Sequence, residues 1–166
     1  TRKPMNFFAD EAKFVGTVYI KPDGFKGSGK FNMPTAQLAS ANYSATRWQI
    51  VADTSNFNLR NTFNEAEEGT IAFASENVSC KVDCSNRKGE FVSNKGTSLI
   101  QFPVNQYVCK MDRFNWVMDV DELELEKNPE ATADITIDTE MGVSNSNFFS
   151  THPKQDSLAF MSLKAR

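Results

Sequence analysis

The sequence has very few of the residues on which common enzyme mechanisms depend. Its only histidine is His152. A Ser-His-Asp or Cys-His relay would therefore have to use this one residue, and a histidine-rich zinc site is excluded. The cysteines lack the close paired spacing of zinc ligands, and the carboxylates show no marked pairing. We therefore predict that the chain is not an enzyme and has no catalytic residues, no metal site and no cofactor.

Cysteine is scarce and odd in number, with Cys80, Cys84 and Cys109 only. Cys80 and Cys84 lie four residues apart in an alternating segment, about 13 Å along a strand that rises ~3.3 Å per residue, too far for a disulfide between them. Either one could pair with Cys109 and leave the third free. Alternatively, all three could be buried thiols that act as small apolar side chains.

Long apolar runs and strong charge are also absent. No run approaches the ~20 apolar residues that a transmembrane helix needs. The net charge is -3 and the basic residues are scattered along the chain, which gives no long-range attraction to nucleic acid. We predict no membrane span in this chain and no nucleic-acid partner.

One glycine-rich segment, from Gly24 to Lys30, has the glycine and lysine spacing of a phosphate-binding P-loop. The next residue is Phe31, where a P-loop needs a hydroxyl for magnesium, and the residues that follow alternate instead of starting a helix. A glycine-rich turn between two strands therefore accounts for the segment better than a nucleotide site.

What the sequence does contain is a period of two, from Phe14 to Leu163. Val78, Cys80 and Val82, for example, alternate with polar residues, and turn signals recur every 8–15 residues, which predicts an all-β fold. We predict a lead-in segment over residues 1–13 and a single β domain over residues 14–166 that is a section of a larger protein. A further short strand is predicted around Ile135 and Ile137.

The alternation favours two architectures. The 15 asparagines, many at predicted strand ends and turns, are typical of a β-solenoid (β-helix-like, or elongated stacked β-sheets), whose corners favour residues that tolerate left-handed backbone. A β-sandwich or jelly roll is the alternative. After Asp112 the alternation slips by one residue, which predicts a bulge or a corner.

Aromatic residues are the remaining candidates for binding. Most of the 14 phenylalanines should fill the core, because a β interior is built from such side chains. Tyr43, Trp48 and Trp116 are the weak candidates for a ligand-binding surface on which a sugar ring could stack. Phenylalanines could instead line an apolar groove for acyl chains.

Five stretches of the chain share a further feature: Gly89–Asn94, Phe102–Tyr107, Met111–Trp116, Pro22–Phe31 and Ser150–Leu158. Together they resemble a segment of very large, uncharacterised, β-rich envelope proteins of Bacteroidetes-type bacteria. The resemblance implies an exported, repetitive, β-rich protein of the cell envelope, in the periplasm or at the cell surface. It implies no activity, so no catalytic residue follows from it.

Three hypotheses about function follow. The first is a non-enzymatic structural or interaction module of a large exported protein, whose partners are neighbouring segments of that protein or other envelope proteins. The second is a lipid-holding β groove of an envelope transport protein. The third is a carbohydrate-binding β module that uses Tyr43, Trp48 or Trp116.

Overall fold

The fold is all-β, as a computed structural model shows for residues 3–62, 69–94, 98–127, 146–155 and 158–166. Within these ranges the chain forms strands and no helix, which confirms the predicted class. The strands are β1 (Met5–Phe7), β2 (Ala12–Lys21), β3 (Gly24–Asn32), β4 (Ala36–Ala45), β5 (Gln49–Arg60), β6 (Ile71–Asp83), β7 (Lys88–Ser93), β8 (Ser98–Phe102), β9 (Tyr107–Met111), β10 (Arg113–Val117), β11 (Glu122–Glu126), β12 (Phe148–Ser150), β13 (Ala159–Phe160) and β14 (Lys164–Ala165). The strand predicted at Ile135 and Ile137 lies outside the described residues.

The strands form one antiparallel sheet that does not close on itself. Its main path runs β1-β2-β3-β4-β5-β6-β7-β10-β11-β14. The sheet forks at β6, whose later residues from Val78 to Asp83 pair with β7, whereas Ala74 and Ser75 pair with β8. Strands β8, β9, β12 and β13 then continue the second branch. The choice between a solenoid or stacked sheets and a sandwich or jelly roll stays a prediction.

The slip in the alternation at Asp112 marks a corner. β9, which ends at Met111, belongs to the branch that contains β8 and β12, whereas β10, which begins at Arg113, pairs with β7 and β11. Met111 and Phe114 are both buried. The alternation shifts by one residue because β9 points its odd-numbered side chains, such as Met111, into the core, whereas β10 points its even-numbered side chains, such as Phe114, into the same core.

Two large groups of rings fill much of the core in the described residues. The N-terminal aromatic cluster has ring centroids 4.8 to 6.4 Å apart and comprises Phe7, Phe8, Phe14, Phe25, Phe31 and Tyr43. The central aromatic cluster has centroids 4.4 to 6.1 Å apart and comprises Phe57, Phe73, Phe91, Phe102, Phe114 and Trp116. Phe7 and Phe8 come from the predicted lead-in over residues 1–13, so that segment joins the sheet through β1 and supplies core.

The glycine-rich segment predicted as a turn is strand β3, and the turn before it is Pro22-Asp23. Gly29 of β3 pairs with Gly16 of β2, and the ring of Phe14 lies over the pair. A Cβ at Gly16 would lie 2.7 Å from the Cζ atom of Phe14 and 2.2 Å from the carbonyl oxygen of Ser28. The glycines are there because the core needs the space for a ring, and the segment has no phosphate-binding geometry.

The first strands fold over onto turns that come much later in the chain. The Thr35 hydroxyl in the β3–β4 turn donates to the Asp121 carboxylate in the β10–β11 turn, at 2.7 Å. The Arg87 guanidinium in the β6–β7 turn donates to the Glu11 carboxylate in the β1–β2 turn, at 2.5 Å. Four turns that are distant in sequence are thereby brought together.

Candidate functional site

A cavity of about 300 Å³ lies where these four turns meet. We call it the turn cavity. Part of its wall is apolar and part is polar, and the turns between strands supply most of both. Its lining residues are Glu11, Ala12, Met33, Pro34, Thr35, Cys84, Arg87, Trp116, Met118 and Asp121.

Trp116 is the largest side chain in the wall of the turn cavity. It is only 2% exposed and its ring lies 5.2 Å from that of Phe57. Its indole Nε1–H has no hydrogen-bond partner within the part of the chain that the structure describes. Leaving a buried donor unpaired costs about 1–3 kcal/mol, and such groups in native proteins are rare.

The indole of Trp116 packs between two neighbouring strands. Trp116 pairs across the sheet with Gly89 of β7 on one side and Leu123 of β11 on the other. A Cβ at Gly89 would lie 3.4 Å from the Cε3 atom of Trp116. The indole therefore packs closely against Gly89, and a side chain at that position would crowd it.

The polar side of the cavity is already paired. Arg87 Nε donates to Asp119 at 2.9 Å, and the hydrogen bond with Asp119 is the main cause that raises the pKa of Arg87. Glu11 and Asp121 accept from Arg87 and Thr35. Three carboxylates against one guanidinium leave the mouth of the cavity with an excess of negative charge.

Asp83 holds the β6–β7 turn that carries Arg87. Its carboxylate accepts from the Ser85 hydroxyl at 2.6 Å, from the Gln49 amide at 2.9 Å and from the backbone N–H of Asn86 at 3.0 Å. These hydrogen bonds hold the pKa of Asp83 well below its usual range, and the one from Ser85 has the largest effect. A carboxylate that accepts several hydrogen bonds is stabilised in its charged form, so the turn is fixed at neutral pH.

The three cysteines are free, buried thiols, so the structure has no disulfide between Cys109 and either of the others. Burial raises the pKa of Cys84 to about 11 and that of Cys109 to about 12. Cys84 lines the turn cavity. A thiol with such a pKa is protonated at neutral pH and is a poor nucleophile.

The three aromatic residues predicted as a ligand surface have different settings. Tyr43 is 2% exposed inside the N-terminal aromatic cluster, and Trp116 is buried beside the turn cavity. Trp48 is 38% exposed in the β4–β5 turn, with the Arg47 guanidinium carbon 5.2 Å from its ring centroid. The faces of Tyr43 and Trp116 are therefore packed against protein, and only Trp48 offers ring surface.

A second candidate surface lies at the outer side of β2. β1 pairs with β2 only at Ala12, Lys13 and Phe14. Beyond them, Tyr19 is 63% exposed and Ile20 is 80% exposed. No strand among the described residues pairs with β2 from Val18 to Lys21 on this side.

The solvent face of the β2–β3 hairpin is basic. Four exposed lysines share it in the observed register, and we call them the hairpin lysines: Lys13, Lys21, Lys26 and Lys30. These residues look scattered in the sequence. The Pro22-Asp23 turn was the signal that could have grouped them, because it fixes which residues of the two strands share a face.

The residues of the turn cavity had no comparable signal. Glu11, Thr35, Arg87 and Asp121 belong to four separate turns, and no local pattern links them. Among the described residues, no three His, Cys, Asp or Glu side chains are placed to hold a metal ion. Within the same ranges, no helix has the length and apolarity to cross a membrane.

Comparisons of the chain with protein-family models, with curated proteins and with solved structures return no match. The function is therefore inferred from the surfaces that the chain itself presents.

Proposed function

We propose that the chain is a non-enzymatic interaction module that docks an extended, β-rich segment, of the same large protein or of another one, along β2. The observation that supports this proposal is the exposure of Ile20. It belongs to the alternating set Phe14, Gly16, Val18 and Ile20, which begins in the core and ends at a side chain that is 80% exposed.

The loss of burial follows the end of β1. Burial alternates regularly from Ala12 to Val15 and the alternation stops at Gly16, just beyond the last residue that β1 covers. Val18 is partly buried against the core. A strand added beside β2 would continue the cover that β1 starts, and complete burial of an Ile side chain contributes about 1.5–3 kcal/mol.

The hairpin lysines define the chemistry of the partner strand. A strand that pairs with β2 presents alternate side chains to the same face as these lysines, so acidic residues at those positions would be favoured. Main-chain hydrogen bonds supply affinity in such docking, and side chains supply specificity. We propose that the partner is a neighbouring segment of the same large exported protein or another envelope protein, the setting that the resemblance implies.

A pair of designed peptides tests this function. We expect a blocked ten-residue peptide that alternates valine with glutamate to bind the chain about tenfold more tightly than the same peptide with lysine in place of glutamate. Fluorescence anisotropy of labelled peptides measures both affinities. The preference should weaken as salt is added, because the lysines are exposed.

Two substitutions locate the contact. Ile20→Asn should weaken binding of the glutamate peptide about tenfold, whereas Leu99→Asn, the same type of change at an exposed position of β8, should leave it unchanged. Equal binding of both peptides, or an Ile20→Asn variant that binds as the parent chain does, would contradict the proposal.

The alternatives have different support. Two of the three rings offered for sugar stacking, Tyr43 and Trp116, are buried, and no further observation favours a carbohydrate. Binding of a small apolar molecule has one specific observation in its favour, the turn cavity with its partly apolar wall.

A further inference from the structure

The turn cavity is a space that the side chains around it leave unfilled. Ala12, Met33, Pro34 and Met118 give part of its wall an apolar character. Packed proteins contain few voids larger than a water molecule, and a concave, largely apolar site with a few polar groups is typical of ligand pockets. The shape of the cavity is therefore suited to a small ligand.

The volume of the turn cavity limits the size of that ligand. At about 300 Å³ the cavity is at the lower end of the range for ligand pockets. It is about twice the ~150 Å³ of a cavity that accepts benzene. There is room for one six-membered ring with a short chain attached, which is roughly nine or ten non-hydrogen atoms.

Carboxylates determine the charge that the ligand should have. Glu11, Asp119 and Asp121 lie around the single guanidinium of Arg87, so negative charge prevails. Glu11 accepts from Arg87 through Oε2, and Asp121 accepts from Thr35 through Oδ1. Glu11 and Asp121 line the cavity and neither is buried, so the second oxygen of each carboxylate is left to accept from a ligand.

The thiol of Cys84, which is also in the wall, responds to the same charges. Burial is the largest cause that raises the pKa of Cys84 to about 11. The charge of Glu11 raises this pKa further, by more than the charge of Arg87 lowers it, and Asp83 adds to the rise. A surrounding that disfavours a thiolate in this way favours a positive charge at the same place.

We propose that the turn cavity is a binding site for a small organic cation, a primary ammonium group on an apolar body of about one ring. The ammonium group, which has three donors and no acceptor, binds the carboxylates of Glu11 and Asp121. The apolar body packs against Met33 and Met118, whose flexible, polarisable side chains adapt to irregular shapes. This site is separate from the docking edge on β2, and the proposal does not depend on the proposed function.

Nuclear magnetic resonance of the full chain labelled with ¹³C-methyl methionine tests the site. The chain has six methionines, of which Met33 and Met118 line the cavity. The variants Met33→Leu and Met118→Leu assign their signals. We expect 2-phenylethylamine to shift both signals in a saturable titration, because its ring would lie beside them. The signals of Met5 and Met161, which are each 47% exposed elsewhere on the surface, should stay in place.

Two further probes with a similar apolar body isolate the effect of charge. 2-Phenylethanol replaces the ammonium group by an uncharged hydroxyl and should bind about tenfold more weakly than the amine. Phenylacetate, an anion, should bind more weakly than the alcohol. The advantage of the amine over the alcohol should shrink as salt is added, because the carboxylates are partly exposed.

One substitution locates the charged contact. Asp121→Asn removes the charge and keeps an oxygen that can accept from Thr35. It should weaken binding of 2-phenylethylamine about fivefold and leave binding of 2-phenylethanol unchanged. Asp53→Asn, the same change at an exposed position of β5, is the matched control and should bind both probes as the parent chain does.

Three results would overturn the proposal. The first is that the signals of Met33 and Met118 do not respond to 2-phenylethylamine up to about 10 mM, which would saturate a site of millimolar affinity. The second is that the alcohol binds as tightly as the amine. The third is that Asp121→Asn binds the amine as Asp53→Asn does. The first two are measured on the parent chain, so they decide the matter even if a variant fails to fold.

Discussion

Tyr43 shows at the scale of one residue how this core combines good packing with an unpaired polar atom. Its ring lies 4.9 Å from that of Phe31 and 5.3 Å from that of Phe14. Its hydroxyl has no hydrogen-bond partner among the described residues, and burial raises its pKa to about 12. The ring is therefore stabilising and the hydroxyl is not.

Tyr43→Phe should raise the free energy of unfolding by about 1 kcal/mol, because it removes an unsatisfied buried group and keeps the ring. Urea denaturation followed by tryptophan fluorescence measures the change. Tyr19→Phe, at a position that is 63% exposed, is the control and should change stability by less than about 0.5 kcal/mol. A Tyr43→Phe variant less stable than the parent would show that the hydroxyl has a partner in solution.

At the scale of elements, the turns hold the sheet in its folded-over form, and the β6–β7 turn is the clearest case. Asp83 gathers hydrogen bonds from Ser85 and Asn86 within the turn and from Gln49 of β5. The turn then places Arg87 against Glu11 of the β1–β2 turn. A local motif in the sequence thus positions a side chain for a contact between two turns that are distant in the chain.

Asp83→Asn should lower the free energy of unfolding at pH 7 and should lower it less at pH 3. The folded-state pKa of Asp83 is depressed, so its contribution is present above the unfolded pKa of about 3.9 and is lost as the pH falls toward the folded-state pKa. Urea denaturation at the two pH values measures both differences. Asp53→Asn, at an exposed position of β5, is the control; an Asp83→Asn penalty that is equal at pH 7 and pH 3 would contradict the assignment.

At the scale of the whole molecule, β6, the β6–β7 turn and β9 each contribute one buried thiol to the same continuous core. The three residues are Cys80, Cys84 and Cys109, and burial is the largest cause of the raised pKa of each thiol. The folded state therefore favours the protonated thiols in three separate elements.

Stability should consequently fall as the pH rises above about 9. The pKa of a thiol in the unfolded chain is near 9, whereas burial raises that of Cys84 to about 11. The unfolded state therefore loses its proton first, and stability is lost as the pH rises through this window. Cys84 and Cys109 should each cost roughly 1 kcal/mol by pH 10, measured by urea denaturation at pH 8 and pH 10. Cys84→Ala should show a smaller loss between the two pH values, and an unchanged loss would rule out this thiol as a cause.

Local alternation was enough to determine strands and turns. The set Val78, Cys80 and Val82 is buried in β6 as predicted, and the slip at Asp112 is a corner. Both follow from the alternate direction of side chains along a strand, which neighbouring residues impose on one another. Local pattern was less informative for Gly24–Lys30, which forms strand β3 with the ring of Phe14 close to its Gly29.

Only the tertiary structure decided which turns meet. Nothing near Thr35 in the sequence indicates that its hydroxyl donates to Asp121, and nothing near Trp116 indicates that its indole N–H is buried without a partner among the described residues. Alternation predicts which residues share a face of one strand. It does not predict that the sheet forks at β6 or that turns distant in the chain contact each other. That outcome depends on ring packing between distant strands, so the sequence by itself determined an all-β chain, and long-range packing determined its cavity and the edge of β2 that no described strand covers.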